Sequence, residues 1–228
     1  MDHVTDDLDR VGVLGDPLRR SLYAHVAAQP DAVSREHAAN ALGLALHTVR
    51  FHLDRLVEAG LLDVEFRQLS GRRGPGSGRP SKLYRRSERQ LSVSLPERRY
   101  DVIGEVLAEA VDRSVRDALP VAEVLPVVAH EAGLQLGAEA GRGEDDGDEL
   151  ATVAGVLEHL GYEPVVDGTE VALANCPFDR LAAGHTDLVC GLNRDLVDGV
   201  LEGAAASRLT ARLVPHDTMC CVRVEAAR

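Results

Sequence analysis

Residues 44–62 read LALHTVRFHLDRLVEAGLL and residues 78–85 read GRPSKLYR; these two stretches, and what joins them, decide the fold. In the first, Val49, Leu53, Leu56 and Val57 recur at three- and four-residue intervals, which puts them on one face of a helix, and Gly60 supplies a C-terminal stop. The period then changes to that of a strand in LLDVEF (61–66). It passes through a Gly-, Arg- and Pro-rich stretch, QLSGRRGPGSGRP (68–80), and returns to strand in SKLYRR (81–86). Upstream, Leu8, Val11 and Leu14 mark an apolar face. Asp16-Pro17 is an N-cap followed by proline at the first helical position, and Leu18, Leu22 and Val26 carry the next helix to Gln29-Pro30. Ser34 with His37 in place of Glu is an imperfect capping box, opening a short helix that ends at Gly43. Three helices followed by a long-looped hairpin predict a winged helix-turn-helix over residues 1–90.

From Pro96 the pattern predicts one long helix, with Val102, Ile103, Val106, Leu107, Ala110, Val111, Val115 and Leu119 on its seam and Pro120 at its end. That seam is too long for the winged domain to cover, so residues 91–120 are read as a linker and dimerisation helix. A second helix, 121–136, leads to an acidic surface loop, AGRGEDDGDE (140–149). Residues 121–228 alternate: a helix over 149–160, a hairpin EPVVDGTEVAL (163–173) turning at Asp167-Gly168, helices over 177–204, then strands RLTARLV (208–214) and CCVRVEA (220–226). The fold class is therefore α+β.

With 228 residues, 45% hydrophobic and 27% charged, the chain is globular in composition; aromatics at 3% and no Trp imply cores of Ala, Val and Leu. No basic-flanked apolar leader and no membrane-length apolar run is seen, so a cytoplasmic location without membrane contact is expected. Net charge is −12, but unevenly placed: residues 1–90 carry 14 basic against 12 acidic side chains, and the remainder 11 against 25. Eight basic residues and one acid fall within 67–89, a footprint for a polyanion on an otherwise acidic molecule.

The helix beginning near Leu46 is the one to enter a major groove. Its N-terminal residues His47, Thr48, Arg50 and Phe51 reach base edges, with Arg50 suited to bidentate contact with guanine. Arg55, Lys82 and the loop residues Arg72, Arg73 and Arg79 add contacts to phosphate or the minor groove. GPGSGRPSK is no phosphate-binding loop of the nucleotide kind, because it lacks the Gly-Lys-Ser/Thr ending and lies between strands. Nor does a C-x-x-C or a Ser-His-Asp candidate order point to an enzyme.

TVRFHLDRLVEAGLL with GRPSKLYR resembles the ArsR-like family of bacterial winged-helix regulators, and NCPF at 175–178, Cys190 and Cys220-Cys221 extend the likeness to SufR-type iron-sulfur-sensing repressors over essentially the whole chain. The resemblance implies a homodimeric repressor on an inverted-repeat operator, with Cys176, Cys190 and Cys220 holding an iron-sulfur cluster, 4Fe-4S favoured over the alternative, zinc. His185 or Cys221 stands as a fourth ligand.

Physical reading of the same residues leaves more open. Cys176 precedes Pro177, where a helix start would favour the thiolate a metal takes. Cys220 and Cys221 are strand neighbours pointing to opposite faces, and Cys220 shares the inward side with Val222 and Val224. Cys190 alone reads as core, and His185 as a cap between helices. A structural zinc, bare thiols sensing oxidants, and an organic-effector pocket remain alternatives.

Overall fold

The computed structural model describes residues 2–68, 80–140, 149–216 and 218–227, with the side chains of 2–5 excepted. The chain divides into two compact units, residues 1–93 and 94–228.

The first unit contains helices α1 (Asp2–Gly12), α2 (Pro17–Ala27), α3 (Arg35–Leu42) and α4 (Leu46–Glu58). The Asp16 carboxylate accepts from the backbone N–H groups of Leu18 and Arg19 at 2.9 and 3.0 Å. Ser34 Oγ accepts from His37 N–H at 3.1 Å, so both expected caps form and α2 and α3 start where the sequence places them. Gly43 at φ 65° closes α3 in the left-handed conformation that glycine adopts without strain. Strands β2 (Leu62–Arg67) and β3 (Ser81–Arg86) pair antiparallel from Leu62–Arg86 to Arg67–Ser81. A two-residue strand β1 (Val33–Ser34), which the sequence reading does not foresee, pairs with β3 on its other edge. Leu22, Val26, Val49, Leu53, Leu56, Leu62 and Tyr84 form the core beneath the helices.

In the second unit, α5 (Tyr100–Asp117) starts later than expected: residues 96–99 are not helical. Its seam is split. Ile103, Val106 and Ala110 are buried against α6 (Val121–Ala140), whereas Val111, Val115 and Leu119 stay exposed. Helices α7 (Glu149–His159), α8 (Asp179–Gly184) and α9 (Thr186–Gly203) accompany a four-stranded antiparallel sheet in the order β4-β5-β7-β6. Its strands are β4 (Pro164–Asp167), β5 (Glu170–Leu173), β6 (Leu209–Leu213) and β7 (Val222–Ala226). The terminal strand thus begins after Cys220-Cys221 instead of including them. The acidic loop assigned to 140–149 lies, except at its ends, outside the described residues.

Helix α9 has two buried faces. Val197, Val200 and Leu201 join the core over the sheet, while Val189, Leu192 and Leu196 join the core with α5 and α6. Its contact with α6 is backbone against backbone. A Cβ on Gly133 or Gly137 would strike the carbonyls of Leu196 or Val200, and one on Gly199 or Gly203 the carbonyls of His130 or Leu134, all under 3.0 Å. Two Gly-x-x-x-Gly spacings, 133/137 and 199/203, interlock. Since no side chain can yield at these points, Gly199→Ala is expected to destabilise the chain by about 3 kcal/mol through overpacking. Gly191→Ala on the same helix, where an added Cβ meets nothing, is expected to stabilise it by about 0.5–1 kcal/mol. Urea denaturation of the two variants checks both signs.

Candidate functional site

Two sites emerge, one in each unit. On α4, the apolar face turns Val49, Leu53 and Leu56 inward, which leaves His47, Arg50, Phe51 and Arg55 exposed and Thr48 half-buried. Phe51 is 60% exposed, so its ring is open to a partner on this face. The N-cap position is Ala45, which offers no side-chain acceptor, so the first-turn amides of α4 remain available to an anion. The Lys82 ammonium lies 2.6 Å from Asp54 Oδ1, Tyr84 donates to the same oxygen at 3.3 Å, and Arg50 approaches the other at 3.8 Å. Burial opposes protonation of Lys82, but the hydrogen bond to Asp54 together with the charges of Tyr84 and Asp54 outweighs it and raises the ammonium above its ordinary range. Arg55 pairs with Glu58 at 2.8 Å. Asp54 was missed by the sequence reading, although its position four residues after Arg50 is the spacing of a helical ion pair. Arg72, Arg73 and Arg79 lie outside the described residues.

In the second unit the four cysteines are free thiols and lie as two contacting pairs, Cys176 with Cys220 and Cys190 with Cys221. Each pair joins a residue of the 176–190 region to one of the Cys220-Cys221 segment, and the pairs are near enough that the charge of Cys176 acts on Cys190. Cys190 and Cys220 are buried, and Cys220 continues the inward side of Val222 and Val224, as expected. Its backbone N–H donates to Leu173 O at 2.9 Å, docking it on β5. The hydrogen bond from Cys220, the backbone N–H of Phe178 and the charge of Arg98 together hold the Cys176 thiol below its usual range despite burial. Burial and the bond to Cys221 push Cys190 up to about 12, and the bond to Cys176, then burial, drive Cys220 up strongly. The helix after Cys176 begins at Asp179, not at Pro177, so the aid to the thiolate comes from a single turn N–H more than from a helix end. His185 is exposed at the junction of α8 and α9, makes no side-chain capping bond, and takes no part in the interactions among the thiols. Among the described residues no three His, Cys, Asp or Glu side chains are already arranged as a metal site.

The segment before α5 holds the Cys176 loop. The Arg98 guanidinium donates to Asn175 Oδ1 and, at 3.1 Å, to Cys176 O, and its other end lies 3.8 Å from Asp179. Asn175 donates to Glu97 O at 3.0 Å and Gly161 O at 2.7 Å, and Arg99 N–H donates to Pro177 O at 3.2 Å. Residues 97–99 and 175–177 are thus clasped by backbone and charge-assisted bonds. This is why 96–99 leave the helical pattern: their polar groups are committed to the loop. The buried Asn175, beside a cysteine the reading had already singled out, was the available signal.

Comparison with known proteins matches residues 14–65 to the family described as "Helix-turn-helix domain", a span that covers α2, α3, α4 and most of β2. Neither the curated proteins nor the solved structures return a match. The N-terminal unit is a helix-turn-helix domain, which suggests DNA-binding transcriptional regulation. No described helix is long and apolar enough to cross a membrane.

Asp54→Asn is expected to release Lys82 and Arg50 and tighten DNA binding several-fold, with a log–log salt slope steeper by about one unit; fluorescence anisotropy over a salt series measures both. Asn175→Ala is expected to lower stability by about 1–3 kcal/mol, because it strands the Glu97 and Gly161 carbonyls. It should also speed alkylation of Cys176 by iodoacetamide relative to Cys190 and Cys220, read by peptide mass mapping.

Proposed function

We propose that this protein is a DNA-binding transcriptional repressor whose C-terminal unit senses iron-sulfur or redox status through its four thiols. The single observation that carries the reading is the pairing of all four cysteines at one place, in a chain whose other unit is a helix-turn-helix domain. Thiols drawn from a loop, a helix and the approach to a strand exceed what packing alone requires, since a small hydrophobe would fill each place equally well.

The donor set fits an iron-sulfur cluster, which takes four thiolates, and fits zinc equally in number. Cys176, Cys190, Cys220 and Cys221 would hold the group, with Cys221 in place of His185 as the fourth ligand because Cys221 lies against Cys190. Ligation requires the two pairs to draw in on one centre. A cluster would supply a one-electron, oxygen-labile centre. The chain's own part is to keep Cys176 ready to ionise, through the Phe178 N–H and Arg98, and to hold Cys220 on β5. Any thiol state that favours the DNA-binding form must, by linkage, be favoured by DNA in return. The exposed stripe Val111, Val115 and Leu119 supports a second copy as partner and, with it, an inverted-repeat operator.

The pairing also favours a second reading. Oxidation of Cys176–Cys220 and Cys190–Cys221 would form one disulfide per pair, each passing two electrons and two protons to an oxidant such as a peroxide.

Anaerobic purification with iron, sulfide and zinc analysis separates these. Iron and sulfide with visible colour, lost in each of Cys176→Ser, Cys190→Ser, Cys220→Ser and Cys221→Ser, is the expected result; a colourless chain with stoichiometric zinc, or with no metal and two disulfides after peroxide, replaces the cluster by the alternative. For the DNA-binding unit, Arg50→Ala is expected to cost about 1–3 kcal/mol on the preferred sequence and relax base choice, whereas Lys82→Ala weakens all DNA alike and reduces the salt slope by about one.

A further inference from the structure

We infer that Phe51 is a sequence-reading residue: its ring packs on the C5-methyl group of a thymine in the major groove and makes the chain prefer thymine to cytosine at that place. The inference rests on the DNA-binding reading above and asks nothing of the second unit.

The outer face of α4 carries His47, Arg50, Phe51 and Asp54 at the three- and four-residue intervals that bring side chains together on a helix. Its polar members are already engaged with neighbours on the same helix. The Thr48 hydroxyl lies 3.2 Å from His47 Nε2, Arg50 lies 3.8 Å from Asp54, and Arg55 pairs with Glu58 at 2.8 Å. Phe51 stands among them as the apolar member, and its ring meets that of His52 edge to face with centroids 5.2 Å apart. His47, Arg50, Phe51, Asp54, Arg55 and Glu58 together line an open hollow on the surface. A partner of this face therefore meets one apolar ring in a hollow with polar walls, which suits a small apolar projection on an otherwise polar surface.

A major groove presents that pattern. Base edges there offer donors and acceptors, and the C5-methyl of thymine is the apolar group among them. A phenyl ring can bond to none of the polar edges. Set against cytosine, it would cover the N4 amino group and strand a donor away from water. Set against thymine, it covers a methyl, and the apolar area removed from water on both sides is favourable. Arg50, the adjacent residue, suits guanine through charge and paired hydrogen bonds, so two neighbouring side chains read DNA by different chemistry.

In the test, the full wild-type chain selects a preferred duplex from a random-sequence pool. Each thymine of that duplex is then replaced in turn by deoxyuridine, which removes the methyl and keeps the hydrogen-bonding edge. Wild type, Phe51→Ala and Phe66→Ala are compared by fluorescence anisotropy and urea midpoint, at low salt so that phosphate contacts keep a weakened variant bound. Phe66, 68% exposed on β2 and opposite Lys82 on β3, is the control aromatic outside α4. In wild type, loss of the methyl at the contacted thymine is expected to weaken binding about fourfold, as for one buried methyl group. Cytosine at that place should bind worse than 5-methylcytosine by a similar factor. With the urea midpoint retained, Phe51→Ala should bind the thymine and deoxyuridine duplexes alike, whereas Phe66→Ala keeps the preference. A methyl preference that survives in Phe51→Ala, that vanishes in Phe66→Ala instead, or that is absent from every thymine of the wild-type duplex overturns the inference, as does a wild type that binds all sequences alike. A wild type that binds no duplex overturns the DNA-binding reading itself, so the two failures are told apart by whether wild type binds DNA.

Discussion

The second unit depends on the approach of α6 and α9. Helices ordinarily pack about 8–10 Å apart, separated by their side chains. Here the glycines at 133, 137, 199 and 203 remove those side chains on both partners, and each faces a carbonyl of the opposite helix. The contact is the most extensive between any two elements of the described residues. Such a seam has little freedom to slide, because backbone atoms cannot change rotamer. α9 therefore becomes the reference for the rest of its unit: the sheet packs on Val197, Val200 and Leu201, and α5 and α6 pack around Leu192 and Leu196. Cys190 and Asn193 lie on the same rigid element, so where the thiols and their hydrogen-bond donor sit follows from the glycine seam.

Much of the first unit is legible in its sequence because local chemistry and tertiary packing agree there. Asp16 and Ser34 cap the helices they precede, the apolar period of α4 matches its buried face, and β2 and β3 pair where strands are read from composition, with β2 displaced by one residue. Where the reading falls short, the deciding partner is distant in sequence. The sequence places the start of the long helix at Pro96, but Arg98 bonds to Asn175 and Cys176, some 77 residues away, and 96–99 stay out of the helix. The two-residue β1 exists because β3 has a free edge, which no local signal announces. The pairing of Cys190 with Cys221 also escapes a strand-alternation argument, since β7 begins at Val222 and the two preceding cysteines are not held to strict alternation. The glycine seam was present as two four-residue spacings, but it carries meaning only when both helices are known to meet.

Charge shows the same division between local and distant causes. The sequence places basic side chains in the first 90 residues, and their number suggests a polyanion partner. The fold adds that Asp54 engages Lys82 and Arg50 at once, with Tyr84 supporting the carboxylate. A cation already paired gains less from a phosphate than a free one, because the existing bond must be replaced. It is, however, held in one orientation, which favours discrimination over affinity. Counting Lys and Arg thus overstates the electrostatic attraction of α4 and understates its geometric definition.

The two buried asparagines divide the organisation of the thiol site between backbone and sulfur. Asn175 fixes the chain beside Cys176 by spanning Glu97 and Gly161, whereas Asn193 donates to the Cys220 sulfur itself and accepts from the Tyr162 hydroxyl. A buried amide has four bonds to satisfy and loses much if one partner moves. Each asparagine therefore makes the position of its cysteine conditional on a second part of the fold: the approach to α5 for Cys176, and Tyr162 for Cys220. A change at either sulfur must then be accommodated by those partners, and for Cys176 the partner is the stretch of chain that follows directly on the helix-turn-helix unit.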